Sequence, residues 1–427
     1  MKIRIIYLFE VLIIFLSPLS LTCLHADSLQ IESILPSALY TYIERENLRV
    51  YVNERYEGLQ NRQRRVYVGE SVEDDEIYHK GNVYILKNMT RGTVKISQPI
   101  DSSYEVKCII DKSGVRSLDA NPLPMRTAFP VLPEETLEIG DTWNADGNDV
   151  LITTEFGTLS TPFHCSYTYK GESNVLEKNA QIIAFQYTYY DNSPYMKETY
   201  EVRGRGEGEI ALFINESDGF FIKERLIRHF INQSGKVEQR EEGFRLTWGR
   251  GISRGQIEAL EKKVTDLLQL TEEKEEEKQP GVDNSVGAGE KAANSRTERD
   301  GGIEVERTSE GIKLNLPAIH FYPDESRILP VEEQRLDRLA EILSEIPGAE
   351  FMVMGHTADV GSRESQYTLS VERAKTIIDE LVKRGLEPER FFYQGKGGDE
   401  PVGSNETEDG REMNRRVEVI ILVSSLK

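Results

Sequence analysis

One stretch of the chain, residues 271–302, divides the sequence into two parts that must fold separately. It reads TEEKEEEKQPGVDNSVGAGEKAANSRTERDGG, and almost none of its side chains is large and apolar. A segment of this composition buries too little apolar surface to offset the conformational entropy that is lost on ordering, so we expect a flexible, acidic linker. The side chains that build hydrophobic cores must therefore lie before and after it.

The part before the linker is rich in short runs in which apolar and polar residues alternate. Examples are RRVYVGE, AQIIAFQYTYY and GEIALFI, separated by turn-forming Gly, Asn, Asp and Pro. This alternation predicts strands with one buried face, in a β-rich, antiparallel sandwich or barrel-like region. The proline-rich run NPLPMRTAFPVLP indicates a boundary between two modules, residues 27–120 and 121–252. Apolar residues at helical spacing then predict an amphipathic helix over residues 253–270.

The part after the linker, residues 303–427, alternates strand patterns with helix patterns. IKLNLPAIHF, AEFMVMG, RFFYQGKG and RRVEVIILV are typical of strands. Apolar stripes predict one helix from Val331 to Ile346 and another from Glu364 to Arg384, which Gly385 ends. Strands that alternate with helices are joined by crossovers, so at least part of the sheet must be parallel. The pattern predicts a two-layer α/β domain with a βαβαββ-type mixed sheet.

The first residues of the chain have the pattern of an export signal. MKIRIIYLFEVLIIFLSPLSLTCLHADS combines a basic start, an apolar run and a small-residue site before Asp27. We expect residues 1–26 to be removed by cleavage near Ala26. Two alternatives stay open, namely an uncleaved membrane anchor and lipidation at Cys23. The expected location is the periplasm, with association to the outer or inner membrane left open.

Two cysteines remain after such cleavage, Cys108 and Cys165, and each lies on the apolar side of an alternating strand pattern. In an oxidising compartment two cysteines can form a disulfide, but only if their strands bring the two Cα atoms close together. The sequence leaves two interpretations open: a pair of buried thiols, or one disulfide.

Charge and motif spacing exclude several function classes. The formal net charge is −21 and no basic residues are clustered, which argues against nucleic acid as a partner. The histidines lack metal-ligand spacing, and neither a phosphate-binding loop nor a hydrolase serine motif is present. We therefore expect no catalytic residues, no metal and no cofactor. An envelope enzyme with its site in residues 27–250 is the weakest of the alternative functions. We expect this β-rich region to bind another envelope protein instead.

Three blocks in the last domain carry a family pattern. They read GHTADVGSRESQYTLSVERAKTIIDELVKRGL, FFYQGKGGDEPVGSN and GREMNRRVEVII. In order and spacing they resemble the OmpA-like C-terminal domain, a peptidoglycan-binding module of Gram-negative cell envelopes. The whole layout, from export signal to this tail, resembles OmpA-like envelope proteins of treponemal spirochaetes. The resemblance implies a non-enzymatic structural protein of the cell envelope, with peptidoglycan as the partner to be tested.

In that family, an aspartate in the loop after the second strand binds the ammonium group of a stem-peptide diamino acid. An arginine on the following helix binds its carboxylate through charge-assisted hydrogen bonds. The chain keeps the arginine as Arg373, and Thr357 and Gly361 also match the family pattern. The aspartate position is Ala358, with Asp359 one residue later and both flanks in register. The resemblance thus implies a ligand site at these five positions.

The replacement of the family aspartate has a predictable cost. The loss of one charge-assisted partner removes about 1.5–3 kcal/mol of binding free energy. We therefore predict that binding of diaminopimelate is weak or lost. The family asparagine before the helix is also replaced, by Gln366. The alternative is a working, non-covalent peptidoglycan tether that uses Arg373 with Asp359, or that recognises a different stem-peptide diamino acid.

Overall fold

The structure is a computed structural model, and its chain forms two compact units. The first contains Met1–Thr93 and Ser102–Ser253 and is called the β unit; the second contains Val94–Asp101 and Arg254–Lys427 and is called the α/β unit. The structure describes residues 39–423, except residues 74–75, 91–96, 112–113, 118–124, 134–136, 153–157, 190–199, 214–218, 279–302, 317–318, 320 and 323–324. The expected export signal, Cys23 and most of the expected linker lie outside the described residues.

The β unit is built on one 11-stranded antiparallel sheet. Its strands are β1 (Leu39–Val52), β2 (Arg55–Glu73), β3 (Glu76–Thr90), β5 (Ser102–Asp111), β6 (Gly114–Ser117), β7 (Thr142–Ile152), β8 (Thr158–Val175), β9 (Lys178–Tyr189), β10 (Tyr200–Phe213), β11 (Phe220–Asn232) and β12 (Val237–Ile252). The strand β4 (Gln98–Pro99) belongs to the α/β unit. The order in the sheet is β6-β5-β3-β2-β1-β12-β11-β10-β9-β8-β7.

This strand order joins two meanders along one seam. Strands before residue 121 form one half and strands after it form the other, and β1 pairs with β12 from Leu39↔Ile252 to Val52↔Gln239. The two halves share one core, which contains Val66 and Val83 from the first half and Phe163 from the second. The expected boundary near residue 121 therefore separates two halves of one unit rather than two modules. A seam between strands so distant in sequence leaves no local pattern.

The sheet curls strongly, as the predicted barrel-like arrangement requires. Arg64 Nη1 on β2 donates to the carbonyl oxygen of Val150 on β7, at 2.6 Å, although these strands lie seven positions apart in the sheet order. Glycine allows close approach in β10, where a Cβ on Gly204 would lie 2.1 Å from the carbonyl oxygen of Ile227. The fold class expected of this region, β-rich and antiparallel, is confirmed.

The interior of the curled sheet contains charged side chains as well as an apolar core. On β1, Glu44 and Glu46 lie on the same buried face as Tyr40, Tyr42 and Leu48. Among the described residues, five arginines and five carboxylates form this network with side chains at most 6% exposed: Arg62, Arg64, Arg126, Arg228, Arg245, Glu44, Glu46, Asp149, Glu224 and Glu241. We call this set the buried charge network.

The α/β unit confirms the predicted order of strands and helices. Its elements are β4 (Gln98–Pro99), α1 (Arg254–Lys278), β13 (Glu304–Arg307), β14 (Gly311–Leu316), α2 (Glu333–Ser344), β15 (Phe351–Gly355), α3 (Arg363–Lys383), β16 (Phe391–Gly395), α4 (Glu408–Asn414) and β17 (Val417–Leu422). The sheet order is β13-β14-β17-β15-β16-β4. The pairs β15–β16 and β16–β4 are parallel and the others are antiparallel.

Two features of the helices in this unit add to the prediction. The helices α2 and α3 cover the sheet with aliphatic side chains such as Leu339 and Ile378, which are fully buried, so β15 and α3 pack on a common apolar core. The helix α1 continues to Lys278, eight residues beyond its predicted end at residue 270. Glu and Lys form helices readily without any apolar partner, which is why the start of the expected linker is helical.

Candidate functional site

The loop between β15 and α3 carries most of the predicted ligand positions. Gly355 ends β15 against the helix; a Cβ there would lie 2.1 Å from the carbonyl oxygen of Ser370, so only glycine permits this approach. Gly361 has a φ of +89°, a conformation that favours glycine. Ser362 then caps α3 by accepting a hydrogen bond from the amide of Ser365. Local backbone geometry therefore explains why these residues stand here.

Hydrogen bonds from two backbone amides hold this loop on both sides of Ala358. The amide of Thr357 donates to the carbonyl oxygen of Gly397 at 2.8 Å. The amide of Asp359 donates to Asn405 Oδ1 at 3.0 Å, and that oxygen also accepts from Asn414 Nδ2 at 2.9 Å. A shift of the chain by one residue would break both contacts.

The two residues that compete for the aspartate position point in different directions. Ala358 is 6% exposed, so its methyl group faces the interior, whereas Asp359 is exposed. Asp359 Oδ1 accepts a hydrogen bond from Gln366 Nε2 at 3.0 Å, and the same nitrogen donates to the carbonyl oxygen of Gly361 at 3.2 Å. The carboxylate therefore lies against the first turn of α3, where Gln366 already uses one of its oxygens.

Arg373 lies further along the same helix. It follows Gln366 by seven residues, so the two share one helix face about 10 Å apart along the axis. Arg373 is buried; its Cζ lies 4.7 Å from the centre of the Phe321 ring, and its Nε donates to the carbonyl oxygen of Glu325 at 3.3 Å. The structure thus brings Thr357, Ala358, Asp359 and Gly361 together in one loop and places Arg373 two turns away.

A buried histidine, His356, follows the last residue of β15. His356 is 1% exposed, and its Nε2 lies 3.6 Å from Glu418 Oε2, which is longer than a hydrogen bond. Burial lowers the pKa of His356, and Glu418 opposes this effect. Glu418 in turn accepts a hydrogen bond from Arg416 Nε at 2.9 Å. All three side chains are buried at the end of the sheet, so they are not exposed to a ligand.

Asn414 organises a second loop beside the site. Its Oδ1 accepts from the amides of Val402 and Gly403, both at 2.8 Å, and its Nδ2 donates to the carbonyl oxygen of Gly403 at 2.9 Å. The side chain thereby uses both its donor and its acceptor groups within the domain. Asn405, which links this loop to Asp359, was not singled out in the sequence, because an asparagine in a polar loop has no distinctive pattern.

The buried charge network tests the alternative of an enzyme in the β-rich region. Converging carboxylates are what such a site needs, but these are engaged by arginines: Asp149 accepts from Arg245 at 2.9 Å and Glu224 from Arg126 at 2.8 Å. Burial alone would raise the pKa of Asp149, yet Arg245 and Arg126 hold it below its usual value. Carboxylates that are buried and paired in this way do not reach a substrate in solution.

Three further observations concern metal sites, membrane-spanning helices and disulfides. Among the described residues, no three His, Cys, Asp or Glu side chains are grouped so as to hold a metal ion. No helix in the described part of the chain is long and apolar enough to span a membrane. Cys108 and Cys165 are both buried and no disulfide joins them; they lie on β5 and β8, which are not neighbours in the sheet.

Comparisons with known proteins agree with the fold of the α/β unit. The sequence pattern of the OmpA family matches residues 320–415. The probable lipoprotein YiaD of Escherichia coli is 32% identical over 124 residues, which are 29% of this chain and 57% of that protein. Outer membrane protein A of Bordetella avium is 36% identical over 101 residues, or 24% of this chain and 52% of that protein. The peptidoglycan-binding protein ArfA of Mycobacterium tuberculosis is 36% identical over 103 residues, 24% and 32% of the respective chains.

These three matches cover about a quarter of this chain. This chain spans about half of the length of YiaD and of the Bordetella protein, and about a third of ArfA. A solved outer membrane protein from Borrelia burgdorferi is 31% identical, with 29% of this chain and 99% of that chain covered, at a TM-score of 0.25. The expected likeness of the whole layout to treponemal proteins stays a prediction. The C-terminal part of this chain, matched over residues 320–415, is a domain of the OmpA family.

Proposed function

We propose that this chain is a non-catalytic structural protein of the cell envelope whose OmpA-like domain has weak or no affinity for diaminopimelate. An envelope location is supported by relatives that are named as a lipoprotein and as an outer membrane protein. Peptidoglycan as the ligand class is supported by a relative named as peptidoglycan-binding. The β unit then serves contact with another envelope protein.

One observation carries the proposed loss of affinity. The position where the family has its aspartate is the buried Ala358, and the neighbouring Asp359 is directed to Gln366 instead. An ammonium group at this site therefore lacks a charge-assisted partner worth about 1.5–3 kcal/mol, or roughly tenfold to a hundredfold in affinity. The bonds of Thr357 and Asp359 to neighbouring loops oppose the shift that would bring Asp359 into place.

The alternative function is a working peptidoglycan tether, and two observations favour it. Arg373 is kept and is held by Phe321 and Glu325 in one orientation. Asp359 is exposed, so its second carboxylate oxygen is within reach of a ligand. In this case Asp359 and Arg373 act together, either on diaminopimelate or on another stem-peptide diamino acid.

The experiment is retention of the exported protein on purified peptidoglycan sacculi of the diaminopimelate type and of a type without diaminopimelate. We expect little retention on either. Ala358→Asp restores the family carboxylate and should raise retention on diaminopimelate sacculi tenfold or more. In Ala358→Asn the new side chain has nearly the size of aspartate but no charge. This variant therefore separates the electrostatic effect from a change in loop packing.

Three outcomes distinguish the two functions. Strong retention of the parent on diaminopimelate sacculi, lost in both Asp359→Ala and Arg373→Ala, would overturn the proposal and establish the tether. Selective retention on sacculi without diaminopimelate would indicate a different diamino acid. Lys383→Ala removes one positive charge from the exposed far end of α3 and is the matched control, expected to change nothing.

A further inference from the structure

A shallow pocket of about 390 Å³ opens beside the ligand loop of the OmpA-like domain. Its volume lies within the range of small-molecule sites, about 300–1,000 Å³. The first turns of α3 and the loop after β16 form its walls. The lining residues are Arg363, Glu364, Tyr367, Lys396, Gly397 and Asp399. None of them was singled out in the sequence.

The charges of this pocket are balanced. Arg363 Nη2 pairs with Asp399 Oδ2 at 2.7 Å, and Lys396 Nζ pairs with Glu400 Oε1 at 2.9 Å. Cations and carboxylates thus neutralise each other around the opening. A pocket of this kind has little preference for an anion or a cation, but it offers many donors and acceptors to a neutral, hydroxylated ligand.

An aromatic ring supplies the apolar surface. Tyr367 is 47% exposed, unusually high for a large aromatic side chain in a folded domain. An exposed tyrosine combines a flat apolar face with a polar hydroxyl group, which suits ligands that are amphipathic in the same way. A sugar ring in its chair form has such a face, made of C–H groups, and a rim of hydroxyl groups.

Hydrogen bonds hold the part of the pocket wall that Gly397 forms. Gly397 accepts a hydrogen bond from the amide of Thr357 at 2.8 Å, and its own amide donates to Ser370 Oγ at 3.0 Å. Its neighbour Gly398 packs on the ligand loop, because a Cβ there would lie 3.0 Å from Asp359 Cα. The pocket therefore shares a preformed wall with the loop where the family holds the stem peptide, and little ordering is needed on binding.

We propose that this pocket binds a neutral sugar ring of a cell-wall glycan, stacked on Tyr367 and hydrogen-bonded by the charged pairs around it. The inference rests on the proposed envelope function for the source of the sugar, but not on the diamino acid site. A glycan contact would keep the domain at the cell wall even where Ala358 has removed the usual peptide contact.

The test is titration of the full exported chain with an uncharged oligomer of N-acetylglucosamine. Binding is measured by calorimetry or by ligand-observed NMR. Binding is expected for the parent. Tyr367→Ala should weaken it about tenfold, the scale of one aromatic stacking contact, whereas Tyr367→Phe should keep most of it. Tyr56→Ala removes a tyrosine of similar exposure on the β unit and should leave binding unchanged.

Two further probes separate this inference from the proposed function. Dextran oligomers lack the acetamido group, and equal binding to them would keep a sugar site but overturn the cell-wall glycan as its source. Free stem peptides test the diamino acid site alone. Absence of oligomer binding, or equal affinity of the parent and Tyr367→Ala, would overturn the sugar site, whatever the sacculi and peptides show.

Discussion

The two units of this protein stabilise their interiors by different means. The β unit encloses the buried charge network. Within it, the single side chain of Arg245 contacts both Glu46 and Asp149, each at 2.9 Å. The α/β unit packs apolar side chains such as Leu339 and Phe351 between its helices and sheet. Apolar packing stabilises in proportion to the area buried, whereas a buried ion pair gains little net free energy after desolvation. Removal of one charged side chain leaves its partner buried without a counter-charge. The interior of the β unit therefore tolerates the loss of one side chain worse than that of the α/β unit.

The network also connects strands that are far apart in the chain. Arg62 on β2 pairs with Glu241 on β12, and Arg228 on β11 pairs with Glu46 on β1. A strand that slipped by one residue would turn its charged side chains, and the apolar side chains on the same face, to the outside of the sheet. We infer that the network selects one register for the curled sheet, at some expense in stability.

The largest effect is expected from Arg245→Met, which breaks the network at its centre. The carboxylates that Arg245 contacts stay buried without it, and such losses cost about 3–5 kcal/mol. Both tryptophans of the chain, Trp143 and Trp248, lie in the β unit, so fluorescence during urea unfolding reports on this unit. An unfolding midpoint equal to that of the parent would contradict the central role of Arg245.

A smaller effect is expected from Leu339→Ala in the α/β unit. The side chain is fully buried on α2, and its truncation leaves a cavity that costs about 2–5 kcal/mol. Amide hydrogen exchange of α2 and β15 should accelerate accordingly. The tryptophan transition should keep its midpoint, and a shift of that midpoint would show that the two units do not unfold separately.

Acid should weaken the β unit through its paired carboxylates. Burial raises the pKa of Glu46 and of Glu241, but the surrounding arginines hold both pKa values below normal. A depressed pKa in the folded state contributes stability above the unfolded pKa of about 4, and this contribution is lost as the pH falls through the folded value. Glu44 opposes this, because burial raises its pKa.

We therefore expect the unfolding free energy of the β unit to fall as the pH is lowered from about 5 towards 2. Urea titrations at several pH values, followed by tryptophan fluorescence, measure the slope. Glu241→Gln removes one of the titrating groups and should flatten it. A β unit that is equally stable at pH 6 and pH 3 would refute the assignment of these carboxylates as ionised.

The smallest effect is expected from Arg240→Met, five residues before Arg245 on the same strand. Arg240 Nη1 pairs with Glu242 Oε2 at 2.6 Å, but both side chains are partly exposed. Water solvates the remaining carboxylate, so the loss should be at most about 1 kcal/mol. The same substitution at neighbouring positions thus isolates the effect of burial, and equal losses at both would remove the distinction between the two interiors.

Sequence patterns predicted the α/β unit well because its signals are local. The apolar stripes of α2 and α3 follow the helical period, and the motif from Gly355 to Arg373 is matched in register. In the β unit the strands were recognised from their alternation, but the seam between β1 and β12 joins residues about 200 positions apart. Such pairing depends on the global fold, and no local pattern encodes it.

The sequence by itself determined the class of each region, the family pattern of the last domain and the absence of an aspartate at position 358. Only the tertiary structure decided that Asp359 accepts a hydrogen bond from Gln366, and that Glu44 and Glu46 lie inside the sheet. The reason is physical: a charged residue in a strand is assigned to the solvent by its type alone. Its partners, which come from distant strands and loops, make burial possible.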